Sequence, residues 1–438
     1  MSHALSTAPV GAFSPEPVRF SRLYAWCVFA LTFGLMMSDY LSRQVIGAVM
    51  PVLKLEWSLL DSQLAMLVSV VSLVVGVLTV PISLVADRWG RVRSITLMAF
   101  VWCLATIACG LAQSHGQLLW ARAFVGLGEA AYGAAGAALL AHVFPAKQRA
   151  AVLGAFLSAS LFGSVLGVVI GGAVAAQAGW RMAFFAVGAP GLLLALIYPF
   201  VVRDYKTVAL TAEVRGGGAT ARLSARQVGR EVFAARSGNL AYIASGLQMA
   251  MPAMLIAWLP TYFVRYYGMD VKHGALMAAV AVMAAGVGMV FGGGLADRLS
   301  AKNPRLRALV PAVYSALTAL VLIAGFALPP GSLAMGLIFA GALFAAAQGG
   351  CSAAIACDVT HPGVRATVTA TMALANNLIG LAPGPLIVGM LSDVLGLKLA
   401  LTVAPAMALA AAFFFVLTSR SYEADAARIR ARVAQNAG

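Results

Sequence analysis

Apolar residues recur in blocks of about 20 along the whole chain, and short polar or basic stretches separate the blocks. A helical block of that length crosses about 30 Å of hydrocarbon, because each residue advances the helix by about 1.5 Å. The pattern therefore predicts an all-α membrane protein. We predict twelve membrane-spanning helices, at residues 23–50, 63–86, 94–113, 117–143, 150–176, 181–202, 239–264, 273–296, 307–328, 332–357, 366–391 and 397–418.

The longest polar interruption, residues 203–238, divides these helices into two groups of six. After three glycines at 216–218 it carries Arg222, Arg226 and Arg230, which would share one face of a helix. A surface helix lying on anionic headgroups and a flexible basic linker both remain open. We predict a tail at 1–22, a bundle at 23–202, an inter-bundle loop at 203–238, a second bundle at 239–418 and a tail at 419–438.

The composition agrees with a membrane protein and removes nucleic acid as a partner. Hydrophobic residues make up 61% of the chain and charged residues 10%, whereas a soluble protein carries roughly a quarter charged residues. The net charge of +15 follows from topology. If both termini are cytoplasmic, the basic residues outside the helices lie on the cytoplasmic side, as the positive-inside rule requires, with five exceptions: Lys54, Arg181, Arg265, Lys272 and Lys398. We predict an inner-membrane protein with this orientation.

The sequence offers no set of residues for enzymatic chemistry. Its five cysteines lie in or at the ends of apolar blocks, and its histidines show no ligand spacing. It contains no recognisable nucleophile–base set and no phosphate-binding Gly-Lys loop. We therefore expect no catalytic residue, no metal and no cofactor, and we predict that the protein is not an enzyme.

The two halves repeat short charged motifs. Residues 87–91 between helices 2 and 3 read Asp-Arg-Trp-Gly-Arg, and residues 293–298 between helices 8 and 9 end in Asp-Arg. Residues 145–149 and 362–365 form a second pair, and all four stretches lie on the predicted cytoplasmic side. A carboxylate there can pair with arginines and with a helix N-terminus. We predict a cytoplasmic gate made of Asp87, Arg88, Arg91, Arg149, Asp297, Arg298 and Arg365. Plain positive-inside anchoring is the alternative.

These motifs resemble those of a known family. Residues 87–91 resemble the loop signature of the major facilitator superfamily, residues 122–130 its helix 4 signature, and the glycines of 163–172 its helix 5 pattern. The resemblance covers nearly the whole chain. It implies two pseudo-symmetric six-helix bundles, the major facilitator fold, which rock around a central cavity lined by helices 1, 4, 7 and 10.

More narrowly, the chain resembles the bacterial spinster-like branch, in runs at 128–130, 179–181, 258–265, 377–386 and 391–393. Spinster-like members usually carry an Asp immediately before an Arg in helix 1, and the resemblance implies that this carboxylate takes part in proton coupling. Here Ser42 precedes Arg43, and the carboxylate lies three residues earlier at Asp39. Asp39 is therefore the candidate replacement, whereas the role does not transfer to Ser42.

Four ionisable residues stand out inside predicted helices, where charge is costly and commonly functional. Asp39 and Arg43 share a face of helix 1, and Arg122 and Glu129 share a face of helix 4. The carboxylates can take up protons, and the arginines can bind anions or pair with the carboxylates. We predict that all four form a substrate and proton-coupling site. Permanent Asp39–Arg43 or Glu129–Arg122 pairs are the alternative.

The second half offers neutral side chains instead of charges. They either line the central cavity or pack inside the bundle. If it faces the cavity, the cavity is charged on one side and apolar on the other, which suits an amphiphile with an anionic head. The predicted cavity-lining residues are Gln248, Trp258, Tyr262, Gln348, Asn376 and Asn377.

Together these features predict a secondary transporter that moves a small-molecule or lipid-like organic anion by proton-coupled alternating access. Its expected partners are that substrate, protons and the bilayer, and a monomer is the default. A broad-specificity drug/proton antiporter and a proton symporter for small carboxylates or sugar acids remain alternatives. From another class, a non-transporting membrane receptor remains open.

Overall fold

The computed structural model describes residues 21–203, 225–303, 305–361 and 364–435, and these form helices and connecting turns. Twelve helices are long and apolar enough to cross a membrane, which confirms the predicted number. We number them α1 to α12. Eight are continuous: α1 Arg22–Trp57, α2 Asp61–Trp89, α3 Arg91–Leu111, α5 Ala146–Ala178, α6 Trp180–Val201, α7 Arg236–Tyr267, α8 Val271–Lys302 and α9 Leu306–Ala327.

The other four membrane helices are interrupted. In α11 the interruption is a turn of π-helix, a feature that often marks functional positions. The segments are His115–Glu129 and Tyr132–Val143 in α4, Ser332–Ala347 and Gly349–Asp358 in α10, Arg365–Ala375, Asn376–Leu381 and Pro383–Leu395 in α11, and Leu397–Val403 and Ala406–Gln435 in α12.

The helices pack as two bundles, α1–α6 and α7–α12, which meet along α1 and α7, α2 and α11, and α5 and α8. Because the number of crossings is even, residues 21 and 435 lie on the same side of the membrane. We call this side the terminal face and the other side the opposite face. At the seam between α1 and α7, a Cβ on Gly47 would lie 3.0 Å from the carbonyl oxygen of Ile256, so the two backbones approach closely.

Inside the first bundle, α5 packs its glycines directly on α1. A Cβ on Gly163 would lie 2.6 Å from the carbonyl oxygen of Met37, and one on Gly167 would lie 2.9 Å from that of Leu41. Small residues permit such close approach, and they leave little room for a side chain. The stretch of α1 that carries Asp39 and Arg43 is therefore held tightly against α5.

The last helix runs beyond the boundary expected from hydropathy. Residues 419–438 are expected to be a tail, whereas α12 continues to Gln435. Asp425 explains this extension, because it accepts hydrogen bonds from the main-chain nitrogen and the hydroxyl of Ser237 at 3.1 and 2.7 Å. Ser237 lies in the first turn of α7, so Asp425 also binds one of its unpaired N–H groups.

Of the predicted inter-bundle loop, the structure describes a short helix at Ala225–Val232. Arg432 of α12 binds Glu231 in this helix at 2.9 Å. Arg222 lies outside the described residues, as does the side chain of Arg226, so the choice between a surface helix and a linker stays open for them.

Candidate functional site

Three charged side chains of α1 and α4 meet inside the first bundle. Arg43 donates from Nε and Nη2 to the same oxygen of Glu129, at 3.0 and 2.7 Å. The Glu129 side chain is fully buried, whereas that of Arg43 keeps 18% of its exposure. Asp39 lies one turn before Arg43 and is buried, and its charge and that of Glu129 influence each other. We call Asp39, Arg43 and Glu129 the charge cluster.

The charge cluster holds two carboxyl groups but one cation. The second oxygen of Glu129 and one oxygen of Asp39 are buried without a hydrogen-bond partner among the described residues. Buried charges are costly unless they are paired, and Arg122, the next guanidinium, donates to main-chain carbonyls rather than to these carboxyls. A single proton shared by the two carboxyls lowers the buried charge and satisfies an oxygen. The arrangement is therefore suited to binding and releasing one proton.

Close packing of α4 explains how Glu129 becomes buried. A Cβ on Gly126 would lie 2.8 Å from the carbonyl oxygen of Val71 in α2, and one on Gly128 would lie 2.6 Å from the main-chain nitrogen of Trp102 in α3. The two glycines let α4 approach both neighbours, and the α-helix is interrupted directly after Glu129. Glycine in the helix 4 motif thus places the carboxylate deep in the bundle.

Arg122 has different partners from those expected. It is fully buried, and its guanidinium donates to the main-chain carbonyls of Leu67, Ser42 and Arg43 at 3.0, 2.9 and 3.1 Å. These bonds join α4 to α1 and α2 directly beside the charge cluster. Glu129 pairs with Arg43 rather than with Arg122, so neither predicted pairing within one helix describes the cluster. A role for Arg122 in substrate binding stays a prediction.

The polar residues of α7 predicted to line the cavity are buried inside the second bundle. Gln248 donates to the hydroxyl of Thr318 at 3.1 Å and to the carbonyl of Ala345 at 3.2 Å. Trp258 donates from its indole to the carbonyl of Pro385 at 3.0 Å. Tyr262 packs against neighbouring aromatic rings and is fully buried.

The remaining predicted cavity residues lie at the interruptions of α10 and α11. Gln348 separates the two segments of α10 and accepts a hydrogen bond from the hydroxyl of Ser352. Asn376 begins the π-helical turn and accepts from the hydroxyl of Ser245 at 2.8 Å. Asn377 donates to the carbonyl of Ala373 at 2.9 Å. No contact bears on whether they face a substrate, and their role as cavity residues stays a prediction.

A second charged cluster, which the sequence does not reveal, joins the bundles at the opposite face. Asp61, the first residue of α2, is buried and accepts two hydrogen bonds from Arg265 of α7, at 2.7 and 2.8 Å. It also accepts from Lys54 at 2.6 Å and from Ser392 of α11 at 2.5 Å. Asp393 in turn accepts from the main-chain nitrogens of Asp61 and Ser62 and so caps α2. We call Lys54, Asp61, Arg265, Ser392 and Asp393 the inter-bundle cluster.

The positions of these residues in the sequence partly indicate the inter-bundle cluster. The charge count already places Lys54 and Arg265 on one side of the membrane, and Asp61 starts a helix beside Lys54. Their contact depends on how the bundles dock, because Asp61 and Arg265 lie 204 positions apart in the chain. A carboxylate at a helix start, together with arginines on the same side of the membrane, is the pattern that could have predicted this cluster.

The predicted gate residues lie at the terminal face. Arg149 donates to the carbonyl of Phe144 at 3.1 Å, and Arg91 lines a small cavity of about 190 Å³ with residues of α2 and α4. Asp297, Arg298 and Arg365 are exposed. The side chains of Asp87 and Arg88 lie outside the described residues, and the gate stays a prediction.

A chain whose described residues form twelve spanning helices in two docked bundles, with a charge cluster buried in one of them, belongs to the class of multi-pass membrane proteins. The model of the Major Facilitator Superfamily matches residues 32–385, and the chain belongs to that family. Membership confirms the predicted superfamily.

The names of several curated relatives include an organic acid. The chain is 27% identical over 66% of its length to the "Probable L-galactonate transporter" of Escherichia coli, and 30% identical over 61% to the "Probable 4-methylmuconolactone transporter" of Cupriavidus pinatubonensis. The matches span 65% and 62% of those two proteins, which is just under two thirds of their length. A match to an "MFS-type efflux pump" of Mycolicibacterium smegmatis, at 26% identity, covers 96% of this chain and 98% of that protein.

Among solved structures, the fold resembles that of a bacterial homologue of the human lysosomal transporter Spinster. Its inward-facing, unoccupied structure superposes with a TM-score of 0.85 at 23% identity, over 93% of this chain and 99% of that one. The inward-facing, occupied structure gives a TM-score of 0.82. At this identity the likeness establishes a shared fold, and the predicted two-bundle architecture is confirmed.

Proposed function

We propose that this protein is a proton-coupled transporter of organic anions that works by alternating access in the bacterial inner membrane. The observation that carries the proposal is the charge cluster, in which two buried carboxyls, each with an oxygen that has no partner among the described residues, lie beside one partly exposed arginine. Names of the relatives, among them galactonate and hexuronate transporters, support an anionic substrate. The excess of arginine and lysine at the terminal face supports a cytoplasmic location for that face.

The geometry suggests how proton and anion are coupled. In this structure Glu129 occupies two donors of Arg43 through one oxygen. A proton that neutralises Glu129 weakens this pair and leaves the guanidinium available for a substrate carboxylate. Because the anion and Glu129 compete for the same donors, substrate binding favours the protonated carboxyl. Proton and anion then bind together and move together, which is symport.

The inter-bundle cluster supplies the conformational side of the cycle. Three hydrogen bonds to Asp61, two from Arg265 and one from Ser392, hold the bundles together at the opposite face, and Lys54 of the first bundle donates a fourth. Opening towards that face must separate Asp61 from Arg265. The charge cluster lies in α1 on the terminal side of the Gly47 contact with α7, and Arg43 keeps some exposure. These two observations support access to the site from the terminal face.

The proposal is tested by measuring proton movement that depends on substrate. The protein is reconstituted in liposomes that enclose a pH-sensitive dye, and galactonate, a hexuronate, a lysophospholipid and a cationic dye are added in turn. We expect wild type to acidify the lumen with an anionic substrate and Glu129→Gln to lose this signal. Asp270→Asn, which removes an exposed carboxylate outside the membrane helices, is the matched control and should retain it.

The outcomes separate the candidates. A pH change that persists in Glu129→Gln and disappears in Asp39→Asn would assign the proton to the other carboxyl of the cluster. Substrate flux without any pH change contradicts proton coupling. A second candidate, export of diverse compounds, is favoured by the match along nearly the whole chain to a mycobacterial efflux pump. A response to the cationic dye with none to the anions would support that function instead.

A further inference from the structure

A groove on the outer surface of the first bundle is lined by no residue of either charged cluster. It occupies about 610 Å³ between the start of α3 and the end of α6, at the terminal face. Both helices belong to one bundle, so the groove does not depend on how the bundles dock. It is lined by Trp89, Val92, Arg93, Thr96, Leu97, Phe100, Pro199, Phe200, Val202 and Arg203.

The walls of the groove face lipid. Phe200 is 88% exposed, and Trp89 and Leu97 are each 50% exposed. Leu97 and Phe100 lie two to three turns along α3 from its start at Arg91, which places them about 10 Å deeper than the interface. Apolar walls at this depth match the upper part of an acyl chain, and Trp is a residue preferred at the interface itself.

The membrane-surface end of the groove is cationic. Arg93 lies in the first turn of α3, and Arg203 lies just beyond the end of α6. Both are exposed. The N-cap of α3 is Gly90, which has no side chain to bind the first N–H groups, so the positive end of this helix adds to the two guanidinium groups. Arginine also binds phosphate oxygens with two donors at once.

We propose that this groove binds one anionic phospholipid as a resident of the protein. Its headgroup phosphate lies between Arg93 and Arg203, and one acyl chain runs along Trp89, Leu97 and Phe200. A water-soluble anion would gain nothing from the apolar walls, and a zwitterionic lipid would match the arginines less well. The charge cluster is not involved, so the inference is independent of the transported substrate.

Trp89 provides a direct readout. Purified protein is reconstituted in phosphatidylcholine vesicles, and brominated phosphatidylglycerol or brominated phosphatidylcholine is titrated in to quench tryptophan fluorescence. The contribution of Trp89 is isolated as the difference between wild type and Trp89→Phe. We expect a preference for phosphatidylglycerol of about 25-fold when both arginines contribute, because one basic side chain near an anionic surface contributes roughly fivefold.

The variants assign the preference to the groove. Arg93→Ala with Arg203→Ala should reduce the preference at Trp89 to about one. Arg236→Ala with Arg420→Ala removes two exposed arginines of the same face outside the groove and should leave it unchanged. Arg93→Lys with Arg203→Lys keeps the charge and should retain part of the preference, which guards against loss through misfolding.

Three results would overturn the proposal. The first is equal quenching by the two brominated lipids in wild type. The second is an undiminished preference in the double alanine variant that elutes as a folded monodisperse protein. The third is displacement of the lipid by millimolar inorganic phosphate, because the groove would then be a site for a free anion.

Discussion

The two buried charged clusters differ in where their partners come from. In the charge cluster, all members belong to the first bundle, the carboxyls outnumber the cation, and oxygens remain without partners among the described residues. In the inter-bundle cluster, the members come from both bundles, and both oxygens of Asp61 are bonded, by Lys54, Arg265 and Ser392. One cluster has unused capacity for a proton, and the other is saturated.

This difference separates two tasks. Contacts within a bundle persist when bundles rock as rigid bodies, so the charge cluster can keep its occupant through the conformational change. Contacts between bundles must break, so the inter-bundle cluster sets the relative stability of the conformations. A proton added to the first cluster changes binding, whereas a charge removed from the second changes which face is open.

The largest effect is expected from Arg43→Ala. The change leaves two carboxyls buried without a cation, and breaking a buried pair in this way costs about 3 kcal/mol of unfolding free energy. Denaturant unfolding in detergent measures it. Adding Glu129→Gln to Arg43→Ala removes one of the two carboxyls and should recover part of the loss. Equal stability of wild type and Arg43→Ala would show that the pair does not stabilise the fold.

A smaller effect on a different quantity is expected from Asp61→Asn. A hydrogen bond to a charged group contributes roughly 2 kcal/mol, and its loss at this interface should shift the population towards the state open at the opposite face by about thirtyfold. Spin labels at Leu60→Cys and Leu395→Cys, one on each bundle, report the distance by double electron–electron resonance. A distance distribution identical to that of the parent protein would contradict this role.

The control for Asp61→Asn is Asp270→Asn. Asp270 caps α8 and binds His273 locally, and it is exposed. His273 lowers the pKa of Asp270 through hydrogen bonds from its main chain and ring. This acid is therefore ionised at neutral pH like Asp61, yet its removal should not change the spin-label distance.

The smallest effect is expected at the opposite face outside the clusters. Arg181 binds Glu56 at 2.8 Å, but both side chains are about 40% exposed, so solvent screens the pair. Exposed pairs contribute about 1 kcal/mol or less, and Arg181→Ala should change the unfolding free energy by no more than that. A loss as large as that of Arg43→Ala would mean that burial is not what distinguishes the two pairs.

The sequence predicts the number of helices well because each apolar block has the length of a membrane crossing. It misplaces the end of α12, because residues up to Gln435 are ordered by contacts such as that of Asp425 with Ser237, which hydropathy does not register. Helix 1 likewise continues to Trp57 rather than ending near residue 50.

Spacing also identified the charged residues of the site but not their pairing. Asp39 and Arg43, and Arg122 and Glu129, share faces of their own helices, yet Glu129 pairs across helices with Arg43. Rotation and depth of neighbouring helices decide such contacts, and a single sequence contains neither. The inter-bundle cluster was missed for the same reason, since it exists only after the bundles dock.

The partners of Arg122 have a consequence for how this site can change. Arg122 binds three main-chain carbonyls, at positions 42, 43 and 67, and a carbonyl is present whichever amino acid occupies the position. Substitutions at Ser42 therefore leave this attachment of α4 intact. A carboxylate can be gained or lost along α1 while the frame around it is maintained, so the proposed proton site is free to diversify on a scaffold that substitution of its neighbours does not easily disrupt.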